Sequence, residues 1–295
     1  MVSVLSWNCQ GAAKRQFCRL CKEICREERP DIVIVVEPRI SGVKAERVIR
    51  RLRFPNSHRA EARGYAGGIW VLWDAGRTKV SIVHSHTQFI HFTVDTEKGL
   101  VEFTAVYASP QEKWRRYLWD NLEVLARHIL SPWFLIGDFN AILDGLERRD
   151  ARGRNGAASK QFLDCIFKAE LEDVGFIGPK FTWKSGNKLA RLDRALFNRL
   201  ALVQFPGATL THLPRACSDH NPIFLRTEGI HSTSPRSGKF KFLAAWVAHK
   251  DFGEFVSNKW DKDGAMPVAL TKFVEDVGKW NRAVFVVDLE KQVGV

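Results

Sequence analysis

The apolar positions along the chain change period several times. Residues 2–7 form a short apolar-rich run, the pattern of a buried strand, ending at Asn8. Across 14–28 the spacing becomes helical, with Phe17, Leu20, Cys21 and Ile24 on one face, and Pro30 stops it. Residues 31–36 are a β-branched run of the kind buried on both faces of a sheet, and Glu37 follows directly. The segments 68–73, 79–83, 89–94 and 101–107 then read as strands in close succession, hence as antiparallel neighbours. Ser109-Pro110 opens a long helix over 111–130. A further buried strand over 133–137 delivers Asp138-Phe139-Asn140. A loop rich in glycine and arginine, 145–156, precedes a helix over 158–171, and 181–183, 192–197, 209–213 and 223–226 read as strands.

Strands outnumber helices and fall in two blocks. That predicts an α/β fold of two packed mixed sheets with helices outside, rather than a βαβ repeat. Residues 1–228 are expected to form this domain, 229–239 a linker, and 240–295 a C-terminal helical extension with helices near 251–260 and 267–285. No stretch reaches the roughly 20 continuous apolar residues of a membrane-spanning helix. The first residues lack the basic-then-apolar layout of a secretory leader, so a nuclear or cytoplasmic location is expected, with no membrane partner. The six cysteines are expected to be reduced. Cys18, Cys21 and Cys25 share a helical face but have no fourth ligand or paired knuckle, so buried or half-exposed thiols fit them better than zinc.

Composition changes this picture in one respect. The net charge is +12, and residues 231–295, with 10 basic and 8 acidic groups, hold only +2 of it. The excess in residues 1–230 suits a polyanionic partner, because neutralising phosphates releases counterions. Charge alone also describes many proteins that bind such partners nonspecifically.

The candidate chemistry lies at strand ends. Asn8, Glu37, Tyr107, Asp138, Asn140, Asp193, Asp219 and His220 all sit where an apolar run stops or starts. Singly, each reads as a turn former, a helix cap or a satisfied polar group. Together, they place several carboxylates along one edge of packed sheets. Mg²⁺ takes oxygen ligands and keeps several waters, so Glu37 and Asp219 with the Asn8 amide would suffice. Asp138 can accept a proton from water and Asn140 can orient that water. His220 can contact a phosphoryl oxygen if Asp193 fixes its tautomer.

These residues, in Trp7-Asn8-Cys9-Gln10-Gly11, Glu37, Val106-Tyr107, Gly137-Asp138-Phe139-Asn140, Leu192-Asp193-Arg194 and Ser218-Asp219-His220-Asn221-Pro222, resemble the endonuclease/exonuclease/phosphatase superfamily. Within it the chain looks most like the endonuclease domain of plant LINE-type (non-LTR) retrotransposons. Glu37-Pro38-Arg39-Ile40-Ser41-Gly42, Gly67-Gly68-Ile69-Trp70, residues 103–110, Phe181-Thr182-Trp183 and residues 191–196 carry that closer likeness. The resemblance implies a four-layered α/β sandwich and a Mg²⁺-dependent nick in DNA, with Mn²⁺ as a substitute metal, leaving 3′-hydroxyl and 5′-phosphate ends. In such elements the 3′-hydroxyl primes reverse transcription. By position, Glu37 would bind the metal with Asn8 and Asp219 nearby, and Tyr107 would contact the scissile phosphate. Asp138 with Asn140 would position the nucleophile, Asp193 would pair with His220, and Thr182 and Ser218 would neighbour the DNA.

Two features depart from that pattern. No reverse-transcriptase sequence follows, so the chain reads as a truncated copy, a gene fragment or a host-adopted domain, with 240–295 resembling the connector to the polymerase. The hairpin between Trp183 and Arg191 is short and lacks aromatics, which points to weak or altered target preference. The alternatives are a decayed nucleic-acid-binding relic, or a phosphodiesterase acting on another phosphoester. On the surface, Arg148, Arg149, Arg152 and Arg154 read either as a solvated loop or as phosphate contacts beside the cleft. Lys14, Arg15 and Lys44 read as a possible extension of that positive rim, and Trp114 and Trp119 read as core anchors of the 111–130 helix.

Overall fold

A computed structural model describes residues 1–62, 67–228 and 251–260, together with 269, 272, 273, 276, 277 and 280. The chain divides into two compact units, Met1–Gly229 and Ile230–Val295.

The first unit is built on two mixed six-stranded sheets. One sheet contains β1 (Ser3–Asn8), β2 (Ile32–Val36), β3 (Asn56–Ala60), β4 (Ile69–Trp73), β14 (Thr209–His212) and β15 (Ile223–Arg226), in the order β14-β15-β1-β2-β4-β3. The other contains β5 (Val80–His86), β6 (Phe89–Thr96), β7 (Gly99–Tyr107), β8 (Trp133–Asp138), β10 (Leu171–Asp173) and β13 (Asp193–Asn198), in the order β10-β13-β8-β7-β6-β5. Among the described strands of these two sheets, β1 with β2 and β7 with β8 run parallel, each pair joined through a helix, and the other pairings are antiparallel. A small third sheet joins β9 (Arg148–Arg149) to the hairpin of β11 (Trp183–Ser185) and β12 (Lys188–Ala190).

Side-chain alternation explains the layers. Val4, Ile32, Ile34 and Val71 point inward from the first sheet and meet Phe92, Phe103, Phe134 and Ile136 of the second. The opposite faces carry Leu5, Trp7, Val33 and Trp70, covered by α1 (Arg15–Glu28) and α2 (Gly42–Leu52). On the second sheet Val106, Leu135 and Leu196 are covered by α3 (Glu112–Ala126) and α4 (Lys160–Lys168). The result is helix, sheet, sheet, helix, the four-layered sandwich expected. A short helix, α5 (Arg199–Gln204), follows β13.

Several elements are not among those expected from the sequence: α2, α5, β3 and the short strands β9, β10 and β12. Ala45, Val48, Ile49 and Leu52 have the spacing of α2 and are buried, so that helix was legible in the pattern. β3 is a polar edge strand with mixed exposure and carries no such signal. The helices expected over 111–130 and 158–171 are shorter, ending at Ala126 and Lys168. In the second unit the helix expected near 251–260 is α6 (Phe252–Lys259). Phe255 packs there against Phe273 and Trp280, at 5.9 and 5.1 Å between ring centroids. The 229–239 linker and most of the 267–285 helix lie outside the described residues. Among the described residues no helix is long and apolar enough to cross a membrane.

Candidate active site

The register of the two sheets brings the strand-end residues to one edge. Asn8 ends β1, Glu37 follows β2, Tyr107 and Asp138 end the parallel pair β7 and β8, and Asp193 opens β13 directly opposite Asp138. Asp219 and His220 come from the loop before β15, which zips onto the hairpin through Lys184 N–H to Asp219 O (3.0 Å) and Asn221 N–H to Thr182 O (2.7 Å).

Local backbone shape permits this convergence. Gln10, Glu37, Arg39 and Asn140 all take positive φ, between 45° and 56°, which costs a non-glycine residue free energy and tends to cluster at functional sites. Gly137 has φ +147°, and a Cβ there would lie 2.0 Å from the Val106 carbonyl oxygen. Only glycine lets β8 run close enough to β7 to present Asp138.

At the centre, His220 Nδ1 lies 2.8 Å from Asp193 Oδ2, while Nε2 faces Asp138 Oδ2 at 3.9 Å and Asp219 Oδ1 at 4.0 Å. Asp138 is fully buried. Its Oδ2 accepts from Asn8 Nδ2 (2.9 Å) and Asn140 Nδ2 (3.1 Å), and its Oδ1 accepts from the Asn140 N–H (2.9 Å). Burial pushes the Asp138 carboxyl up to about 7; the Asp193 charge adds to this, while His220, Asn140 and Asn8 pull it back. Burial alone would lower the His220 ring, but the Asp193, Asp138 and Asp219 carboxylates outweigh it and raise the ring to about 9. Burial and the Glu37 and Asp138 charges likewise raise the Tyr107 phenol, so it stays protonated.

Three site residues were not singled out from sequence. Gln10 Nε2 (2.5 Å) and Trp183 Nε1 (2.9 Å) both donate to Asp219 Oδ2, turning Oδ1 toward His220. Arg39 grips Glu37 Oε1 through Nη2 (2.6 Å) and Nε (3.1 Å). Gln10 and Arg39 lie inside the very motifs that carry Asn8 and Glu37, which was the available signal. Only the fold brings Trp183 to Asp219.

The expected nucleic-acid contacts divide. Ser218 Oγ donates to Asn8 O (2.7 Å) and accepts from the His220 N–H (3.2 Å), so it braces the loop. Thr182 is fully buried, and its Oγ1 accepts from the Leu192 and Asp193 N–H groups, both at 3.0 Å; its role here is to hold the start of β13. Arg148, Arg149, Arg152 and Arg154 are exposed. Arg148 and Arg149 form β9 beside the hairpin, whereas Arg154 is paired with Asp150 at 2.8 Å.

The donor set suits a hard divalent cation. Four carboxyl groups, Glu37, Asp138, Asp193 and Asp219, face only Arg39 and a protonated His220, and the ligand atoms on offer are oxygens. One oxygen each of Asp138 and Asp193 and a ring nitrogen of His220 come within 4.8 Å of one another. A ring held as imidazolium is no ligand, however, so Glu37 and Asp219, the more open carboxylates, with the Asn8 oxygen are the better cradle. Cys18, Cys21 and Cys25 form no such group among the described residues.

A buried acid–histidine–acid relay with further carboxylates around it, on a two-sheet sandwich, fits a phosphoesterase. Residues 5–220 match the endonuclease/exonuclease/phosphatase family, and the chain belongs to it. No curated protein matches the sequence significantly. Solved structures share the fold at low identity. The endonuclease domain of TRAS1, a telomere-specific non-LTR retrotransposon, superposes with a TM-score of 0.59 at 14% identity, over 76% of this chain and 96% of that one. The 3′ phosphatase NExo from Neisseria, bound to a product DNA hairpin, gives 0.59 at 15%, over 77% and 99%. An AP endonuclease from Archaeoglobus fulgidus gives 0.58 at 13%, over 77% and 99%.

Proposed function

We propose that this phosphoesterase is a Mg²⁺-dependent endonuclease of the non-LTR retrotransposon kind, nicking one DNA strand to leave a 3′-hydroxyl and a 5′-phosphate. The observation that carries the reading is the buried relay from Asp193 through His220 to Asp138 and Asn8. The positive excess in residues 1–230 and the exposed Arg148, Arg149 and Arg152 beside the hairpin support a polyanionic substrate.

The residues divide the work as follows. Asp138, with its carboxyl raised toward neutrality, accepts the proton of the attacking water, and Asn140 holds that carboxylate in place through two hydrogen bonds. His220, kept cationic by Asp193, neutralises charge developing on a phosphoryl oxygen. The Tyr107 phenol, protonated throughout, donates to another phosphoryl oxygen. Bound by Glu37, Asp219 and Asn8, Mg²⁺ (or Mn²⁺) would supply Lewis-acid stabilisation of that charge.

Incubating the protein with supercoiled plasmid is the direct test. Open circles that form with Mg²⁺, not with EDTA, and not with Asp138→Ala are the expected result. A folded protein that leaves plasmid intact but hydrolyses another phosphoester would replace DNA as the substrate.

A further inference from the structure

Helix α3 holds an aromatic pair with no part in the core. Trp119 is buried, stacked on Phe162 at 4.7 Å, and is the anchor that the sequence predicts. Trp114 is not: it is 48% exposed, and Tyr117, one turn on, is 43% exposed. The two rings are already stacked, with centroids 5.8 Å apart and planes at 29°. Each has its own cation, Lys113 Nζ at 5.2 Å from the Trp114 ring and Arg116 at 5.0 Å from the Tyr117 ring.

The pair is fixed to the catalytic edge. Asn140 Nδ2 donates to Ala108 O at 2.8 Å, and Gln88 joins the Ser109 N–H (2.6 Å) to the Trp114 carbonyl (3.0 Å). Arg115 Nη1 donates to the Ser109 and Pro110 carbonyls at 2.9 and 2.8 Å, and its guanidinium feels the charges of both Arg148 and Asp138. The segment that carries Tyr107 at the site therefore carries Trp114 and Tyr117 beside it, with Arg115 between.

We propose that Trp114 and Tyr117, with Lys113 and Arg116, form a stacking platform for an unpaired stretch of nucleic acid flanking the cleft. The proposal rests on the nucleic-acid reading of the site. Aromatic faces interleaved with cations match bases and phosphates, whereas an aliphatic partner would want neither cation. A duplex hides its base faces in its own stack, so the occupant is a single-stranded overhang, flap or gap. Rings already stacked on each other lose little freedom when a base joins them.

The test uses the full chain in EDTA, with fluorescence anisotropy of a labelled single-stranded oligonucleotide and of the matching blunt duplex. Trp114→Ala/Tyr117→Ala is expected to weaken single-strand binding about tenfold or more, to leave duplex binding within about twofold, and to melt like the parent. Trp114→Phe/Tyr117→Phe is expected to retain most of the affinity, because ring faces remain. Unchanged single-strand affinity in the alanine variant overturns the proposal. So does an equal loss on both substrates, or a parent that binds no single strand, which would leave this face to a protein partner. Plasmid nicking by the parent is scored separately. Nicking with an indifferent alanine pair removes only the platform, and a platform effect without nicking removes only the nuclease reading.

Discussion

Asp193 and Arg194 are neighbours on β13, point to opposite faces, and serve two opposite arrangements of buried charge. On Arg194's side the charges balance. Arg194 and Arg191 face Glu147 and Asp173 in a closed set of contacts between 2.7 and 3.3 Å, with the Leu143 and Gly175 N–H groups completing the carboxylates. On Asp193's side they do not balance, since four carboxylates share one arginine and one histidine. A balanced cluster carries no net charge for a ligand to answer and serves as structure. An unbalanced one keeps an unmet demand for positive charge, which a metal and a polarised phosphate site can use. The balanced cluster also has a mechanical consequence. It ties the turn at Gly145–Glu147, which leads into Arg148 and Arg149, to the strand that carries Asp193.

The sharpest way to break this contrast is to remove one residue from each side. His220→Ala should cut the nicking rate on the order of 10²–10⁴-fold, far more than its folded fraction accounts for, with the circular dichroism spectrum of the parent and a lowered urea midpoint from the lost buried pair with Asp193. A variant that nicks at near-normal rate would end the assigned role. Arg194→Met should do the reverse. It leaves buried carboxylates without their partner and should cost about 3–5 kcal/mol in urea denaturation. Activity would then fall only with the folded fraction at the assay temperature. An Arg194→Met protein as stable as the parent would show that this cluster is not structural.

Acid should distinguish the clusters as well. Burial drives the His212 ring down to about 4 from an ordinary 6.5, and the nearby Arg191 charge lowers it further. A base whose folded pKa is depressed binds its proton more readily in the unfolded chain, so stability drops as pH falls from about 6.5 to about 4. Despite the cost of burial, Glu147 and Asp173 are held below their ordinary 4.5 and 3.8, by Arg194 first and then Arg191. Their contribution is present above those values and is lost as pH falls through the lowered ones. Over the same range the Asp138 carboxyl, raised to about 7, takes up its proton more readily in the folded chain, so it adds stability as pH falls and opposes the His212 loss. The His212 share is therefore read as a difference: between about pH 7 and pH 4 the parent should lose roughly 2–3 kcal/mol more unfolding free energy than His212→Gln. Parallel pH profiles for the parent and His212→Gln would contradict the buried neutral ring.

The smallest effect should come from the donors behind Asp219. Trp183→Phe or Gln10→Leu removes one hydrogen bond to Oδ2 and should weaken Mn²⁺ binding, read by electron paramagnetic resonance, by about tenfold or somewhat more. Lower nicking with unaltered Mn²⁺ affinity would mean that these residues act on the phosphate side instead.

Much of this was legible in the chain itself. The β-branched run before Glu37, the strand feeding Gly137-Asp138 and the Ser218-Asp219-His220 loop identify themselves, because an apolar period interrupted by a carboxylate is a local property. So does the charge excess of the first 230 residues. The spacing of Ala45, Val48, Ile49 and Leu52 in α2 is equally local. What only the tertiary structure decided are the relations between segments far apart in sequence. Trp183 reaches Asp219, Thr182 turns inward to hold the Asp193 backbone, and Trp114 turns outward while Trp119 turns inward on the same helix. Strand alternation makes Asp193 and Arg194 face opposite ways, but only the packing of the second sheet against its helices says which face meets His220 and which meets Glu147. The physical reason is that a side chain's partner is set by register and layer packing, whereas its period is set by its neighbours in the chain.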